Sequence, residues 1–176
     1  SVATARAAAL AQDVPLWQHL GGDQSSVLPR PMINALSGGL HAEHSVDLQD
    51  YLAIPVAATT FPQAIEHVAR VLASLADELR ARGRTLLRAD EGGFAADLGN
   101  RDGLELLVVA IERAGFVPGD EIAIGLDVAA SHLVTEGGYR LAADNETVTA
   151  DVWSERLIAW TQDYPIVSIE DPFGED

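Results

Sequence analysis

Short apolar runs along this chain alternate with longer segments in which apolar residues recur every three or four positions. Phe61, Ile65, Val68, Leu72, Leu75 and Leu79 form one such stripe and predict an amphipathic helix. Thr60-Phe61-Pro62-Gln63 opens it with the spacing of a capping box, and Gly83 stops it behind Arg80 and Arg82. A second helix is predicted over about Gly103 to Ala114, ending at Gly115. A third starts near Thr149 and carries Val152, Trp153, Leu157 and Trp160, the two tryptophans reading as core anchors. The Ala-rich stretch Ser1 to Ala11, and Pro15 to Leu20 before Gly21-Gly22, also have helical propensity. The short runs read as strands: Val27 to Leu36, Asp50 to Val56, Leu86 to Glu91, Ile122 to Asp127 and Ile166 to Asp171. Pro29 and Pro31 place the first of these at a sheet rim, since proline cannot donate inside a ladder. Asp23 to Ser26 and the polar stretch from Ser37-Gly38-Gly39 to about Asp47 read as loops, and Thr135 to Leu141 as a small hairpin.

The resulting order is strand, strand, helix, strand, helix, strand, helix, strand, an α/β succession. Three of the strands run from apolar residues into carboxylates, at Asp90-Glu91, Asp127 and Glu170-Asp171, each roughly forty residues from the next, one βα unit with its loops. In a parallel arrangement these groups gather at the face where βα units place their chemistry. Crowded negative charges repel, and a bound cation is the usual reason to tolerate them. A complete β/α barrel takes about 250 residues, whereas this chain supplies about five strands. An open half-barrel leaves a bare strand edge. The expectation is a partial (β/α)8 barrel that belongs to something longer or is completed by a partner, and we favour the first.

Composition narrows the function. With 176 residues and 48% hydrophobic content, one well-buried domain is expected. The chain has no cysteine, which excludes disulfides and thiolate metal sites and agrees with a cytoplasmic setting. No apolar run reaches membrane-span length, and Ser1 to Leu20 is too broken by charge for a signal peptide. A net charge of −16 makes nucleic acid and anionic membranes poor partners. An anionic metabolite is still compatible if cations and local donors screen it. All eleven basic residues are arginines, so no lysine base or Schiff base can come from these residues.

Asp90-Glu91-Gly92-Gly93 can turn sharply and aim its acids into the barrel mouth, or be a merely solvated acidic turn; alone, the two readings are even. Asp127 follows five mostly apolar residues, where a charge needs a partner, either a cation or an arginine. Alternation places one of Glu170 and Asp171 inward and the other behind it. Two or three inward oxygens plus waters suit Mg²⁺. His41 and His44 have no third ligand to complete a zinc set, and a loop histidine is more often simply exposed. His19, His67 and His132 belong to no constellation.

Several motifs match a known family in order and spacing: Leu28-Pro29-Arg30-Pro31-Met32, Ser37-Gly38-Gly39-Leu40-His41-Ala42, Leu48-Gln49-Asp50, Asp90-Glu91-Gly92-Gly93, Gly125-Leu126-Asp127 and Ser168-Ile169-Glu170-Asp171-Pro172-Phe173. Across essentially its whole length the chain resembles enolase (phosphopyruvate hydratase). The resemblance implies that residues 1–27 are the helical end of a smaller N-terminal domain and its lead-in. Residues 28–176 would be the first half of an enolase-type barrel whose opening strands are antiparallel. It implies a lyase of glycolysis, Mg²⁺-dependent, cytoplasmic and homodimeric when full length, interconverting 2-phosphoglycerate and phosphoenolpyruvate. Superfamily members pair a Lys or His base with one or two Mg²⁺ that stabilise the ene-diolate.

By the same likeness, Glu91 resembles the acid that protonates the departing hydroxyl, and Asp127 and Glu170 two of three carboxylate Mg²⁺ ligands. His41 resembles a lid histidine closing on substrate, and Gln49 a substrate contact. Asp50 stands at a catalytic and substrate-contacting position where the family has glutamate. It is one methylene shorter, and a ~1 Å misplacement can cost ~10²-fold in rate. Leu40 and His132 also replace a usual glutamate. The third metal ligand, the base lysine and the substrate-holding arginine and lysine lie beyond Asp176 in the family, so these residues alone are expected to be inactive. Two alternatives remain: another superfamily enzyme acting on a different carboxylate, which the motif around His41 opposes, and an enolase-like non-catalytic binding or structural protein, which Asp50 permits.

Overall fold

The computed structural model describes residues 1–22, 27–42 and 45–175; the loop expected over Asp23 to Ser26, and His44, lie outside them. Two short helices, α1 (Val2–Ala11) and α2 (Leu16–Gly21), precede strand β1 (Ile33–Ser37). Strand β2 (Asp50–Ile54) leads into α3 (Phe61–Ala81), a two-residue pair β3 (Leu87–Arg88) and β4 (Phe94–Ala95), then α4 (Asn100–Arg113) and β5 (Ala123–Asp127). After β5 come β6 (Val134–Thr135), β7 (Gly138–Leu141) and β8 (Glu146–Val148), then α5 (Ala150–Asp163) and β9 (Ile166–Glu170).

Six strands form one mixed sheet in the order β3-β4-β1-β2-β5-β9. The β1–β2 and β2–β5 pairs are antiparallel, while β1–β4 and β5–β9 are parallel. Among the described residues the sheet is open, with no closed barrel. Strand β2 is buried on both faces. Tyr51 and Ala53 enter the main core under α3, α4 and α5, whereas Leu52 and Ile54 meet Ala123 in a second, smaller cluster. This period-2 division is what a sheet covered on both sides requires.

The helix starts follow local chemistry. The Thr60 hydroxyl accepts from Gln63 N–H at 3.3 Å, and the Thr149 hydroxyl from Val152 N–H at 3.4 Å. The capping box is shifted, however: Gln63 Oε1 reaches Thr59 N–H at 2.9 Å, not Thr60. The predicted stripe on α3 is rotated as well. Ala64, Val68, Val71, Leu75, Ala76 and Leu79 are buried, while Phe61 and Ile65 are exposed, because close packing on α4 admits small residues that an apolar stripe does not mark. On α5, Trp153 and Trp160 are core residues as expected, with rings edge-on at 5.8 Å, and Trp153 Nε1 donates to Pro172 O at 2.8 Å.

Four strand and loop expectations need correction. The first strand begins at Ile33 rather than Val27, leaving both prolines outside the ladder. Leu86 to Glu91 is not a strand ending in carboxylates. It is the exposed arm β3 of a tight hairpin, and the returning arm β4 joins the main sheet beside β1. The stretch from Ser37 to Asp47 is more than a polar loop: it holds a 3-10 turn at Gly39–His41, and Val46 and Asp47 are buried. The hairpin near Gly137-Gly138 grows into the three-stranded sheet β6-β7-β8.

Candidate active site

Strand register brings together groups far apart in sequence. Ser37 opposes Asp50, Asp50 opposes Asp127, and Asp127 opposes Glu170, a row across four adjacent strands. Strands β5 and β9 end at this row and the antiparallel β2 begins there, so three carboxylates share one rim of the sheet. The hairpin between β3 and β4 brings Glu91 to the same rim from outside, and the 3-10 turn brings His41.

Asp50 is the buried member, at 3% exposure. Its Oδ1 accepts from Ser37 Oγ at 2.6 Å and from Asn34 Nδ2 at 2.8 Å. Burial pushes its pKa from 3.8 up to about 6, opposed by the Ser37 hydrogen bond, with the charges of Glu91 and Asp127 raising it and His41 lowering it. Asp127 is also raised, chiefly by burial, against the Ala129 N–H that its Oδ1 accepts at 3.1 Å. Asp171 and Glu91 push it further up and His41 pulls it down. Gln49 Nε2 donates to Asp127 Oδ2 at 3.2 Å. Glu170 is exposed at the end of β9, and Asp171 follows it with φ of 43°.

A carboxyl whose pKa rises on folding destabilises the fold once it is ionised. As pH climbs from about 4 through about 6 the unfolded chain gives up its proton first, so stability falls over that window and stays lower above it. Asp50→Asn keeps an oxygen for Ser37 and Asn34 but removes the charge. In the metal-free protein it is expected to raise stability near neutral pH, by up to about 3 kcal/mol, and to do little near pH 4. Melting curves at both pH values check this; an equal gain at both would show that burial of charge is not the cause.

His41 Nδ1 lies 3.8 Å from Glu91 Oε1 and 3.9 Å from Asp90 Oδ1, and is buried without a hydrogen-bond partner. Ligand atoms of His41, Asp50 and Glu91 all fall within 4.8 Å of one another, close enough to share a metal ion. The acids expected around one ion were Glu91, Asp127 and Glu170; Glu91 groups with His41 and Asp50, its charge also acts on Asp127, and Asp127 and Glu170 are register neighbours on β5 and β9. The carboxylates of Asp127 and Glu170, register neighbours on the same rim, form an oxygen donor set that fits a hard divalent cation.

Residues 25–176 match the family described as "Enolase, C-terminal TIM barrel domain". The chain is 44% identical over 177 residues to the enolase of Sulfurimonas denitrificans, and 43% identical over 178 residues to that of Beutenbergia cavernae. The whole chain is covered in both cases. It belongs to the enolase family. The chain spans 42% and 41% of the length of these two relatives.

Asp50, Leu40 and His132 are the positions expected to depart from the enolase pattern, and Asp50 is the buried carboxyl described above. Leu40 points outward and is exposed. His132 spans two backbone carbonyls, with Nδ1 against Ala129 O and Nε2 3.1 Å from Asp47 O, so it ties the segment after β5 to the His41 loop.

Sequence reasoning missed the residues that hold this rim in place. Asn100 is fully buried at the start of α4; its Nδ2 donates to Asp47 Oδ2 at 2.7 Å and Asp144 Oδ2 at 2.8 Å, and its Oδ1 accepts from Asp47 N–H. Asp47 in turn accepts the backbone N–H groups of Ala142 and Ala143. One buried network thus fastens the far limb of the His41 loop to α4 and to the turn after β7. Asn34 was missed too, although a lone amide in an otherwise apolar run from Met32 to Leu36 is a usable signal.

Proposed function

We propose that the whole protein carries the enolase reaction, the reversible, Mg²⁺-dependent dehydration of 2-phosphoglycerate to phosphoenolpyruvate. The single observation behind this is Glu91 held among Asn34, His41 and Asp50 on the rim formed by Asp127 and Glu170, in a chain of this family. In this reading residues 28–176 are the first half of the barrel, opening with the antiparallel β1–β2 pair, and residues 1–27 close the preceding domain. Asp127 and Glu170 would hold Mg²⁺ through their carboxylate oxygens, and the ion would supply stabilisation of the negative charge that builds on the substrate carboxylate.

Glu91 is the acid. Its Oε2 is occupied by Asn34 Nδ2 at 2.7 Å, which leaves Oε1, on the His41 side, to carry the proton delivered to the departing hydroxyl. Gln49, anchored on Asp127, and Asp50 orient the substrate's polar groups. His41, on the loop between Gly38 and Asp47, closes the site against water. A cytoplasmic homodimer is part of the same proposal, as the enolase resemblance implies. No helix among the described residues is long and apolar enough to cross a membrane.

The test is turnover by the full-length protein. Phosphoenolpyruvate should form from 2-phosphoglycerate, read by its ultraviolet absorbance, and chelation of Mg²⁺ should stop it. A folded full-length protein that shows no turnover with Mg²⁺ present would overturn the reading and favour a non-catalytic role.

A further inference from the structure

Asn34 has no place in the motifs that led to the active site, yet it touches two of the site's carboxylates. Its Nδ2 donates to Asp50 Oδ1 at 2.8 Å and to Glu91 Oε2 at 2.7 Å. An amide nitrogen has two hydrogens, and here each goes to a different acid, so the group's donor capacity is used up in joining them. The β1–β2 register shows how the side chain comes to face this way. Asn34 opposes Leu52 but Leu36 opposes Tyr51, so one extra residue is accommodated between them. In a regular strand residues three apart point to opposite faces. The irregularity lets Asn34 and Ser37 both reach Asp50 Oδ1.

The hairpin that carries Glu91 rests on the same two residues of β1. A Cβ on Gly93 would lie 2.2 Å from Ser37 Oγ, so the returning arm packs directly on that hydroxyl. The outer arm, β3, is exposed, and Glu91 is half exposed. Without the Asn34 bond, the Glu91 carboxylate is free to rotate about its side chain and to choose either oxygen. With it, Oε2 is spoken for and the hairpin is docked at two points.

We propose that Asn34 is a positioning residue: its amide clamps Glu91 to Asp50 and thereby decides which Glu91 oxygen, and in which place, faces the substrate. This rests on the enolase reading for its consequence in rate, while the clamp itself is independent of that reading.

The experiment uses the full-length protein and two readouts. In Asn34→Ala, kcat for 2-phosphoglycerate is expected to fall roughly 10–100-fold with KM changed less than about threefold, because a displaced acid costs rate and Asn34 is not placed against substrate. Asn34→Asp keeps the size but sets a third carboxylate between the two, and is expected to be slower still. Independently of activity, the amides that close the hairpin, Ala89 N–H to Gly93 O and Gly92 N–H to Ala89 O, should exchange about tenfold faster in Asn34→Ala, while those of the β2–β5 ladder are unchanged. Unchanged hairpin exchange would overturn the clamp whether or not the protein is active. Faster hairpin exchange with an unchanged kcat would overturn the positioning role. Faster exchange in the β2–β5 ladder as well would assign Asn34 to general stability instead. Should the wild-type protein lack turnover, the enolase reading fails with it and the positioning role falls too, while the exchange result still decides the clamp.

Discussion

Glu91→Gln in the full-length protein is expected to remove turnover of 2-phosphoglycerate and leave the fold intact. The change is isosteric, and an amide oxygen can still accept the Asn34 hydrogen bond, so the hairpin stays docked on β1. With the side chain half exposed, no buried charge is stranded and stability should move by less than about 0.5 kcal/mol. What disappears is the proton. A positioned general acid contributes typically ~10²–10⁴-fold, and the loss should appear in kcat and kcat/KM alike. Rate measurements beside a thermal melt separate the two effects. A rate within about threefold of wild type would take the acid's role away from Glu91.

Gly38→Ala should have a comparable effect through the lid. Gly38 sits where the two limbs of the His41 loop meet, with its N–H on Gln49 O at 2.9 Å and the neighbouring Gly39 N–H on Val46 O at 2.9 Å. A Cβ there would lie 2.0 Å from Val46 O and 2.8 Å from Leu48 O, both backbone atoms that no rotamer change can clear. The limbs must separate, which breaks the contacts that place His41 and strains the Asp47 anchor. Overpacking of this kind costs about 1–3 kcal/mol, and an ~1 Å shift of a closing group can cost ~10²-fold in rate. The expected result is a lowered melting temperature together with a large fall in kcat/KM. Wild-type values of both would show that the loop base is not under the constraint described.

These two residues also mark how the site could and could not be anticipated. Asp127 and Glu170 were legible because each ends an apolar run, and parallel strands β5 and β9 carry such ends to one rim. Glu91 was legible as a residue but not as a place. The run before it reads as a strand, yet β3 is an exposed two-residue arm, and the acid arrives on a hairpin turn. Asp50 was recognised as a departure from the family's glutamate; that its short carboxyl is buried and met by two donors on one oxygen follows only from the packing of β1 on β2.

What the amino-acid order determined by itself is the part written in short-range chemistry. The periodicity of α3, the threonine caps at 60 and 149, the strands around Asp50, Asp127 and Glu170 and the succession of elements all depend on residues a few positions apart. The tertiary structure alone decided the open six-stranded sheet, the meeting of His41, Asp50 and Glu91, and the Asn34 clamp. The clamp joins positions 57 apart, Asn34 and Glu91, through a register irregularity and a hairpin docked on a neighbouring strand. No local propensity carries that distance, because closing so long a loop is favourable only once the whole core that holds both ends has formed.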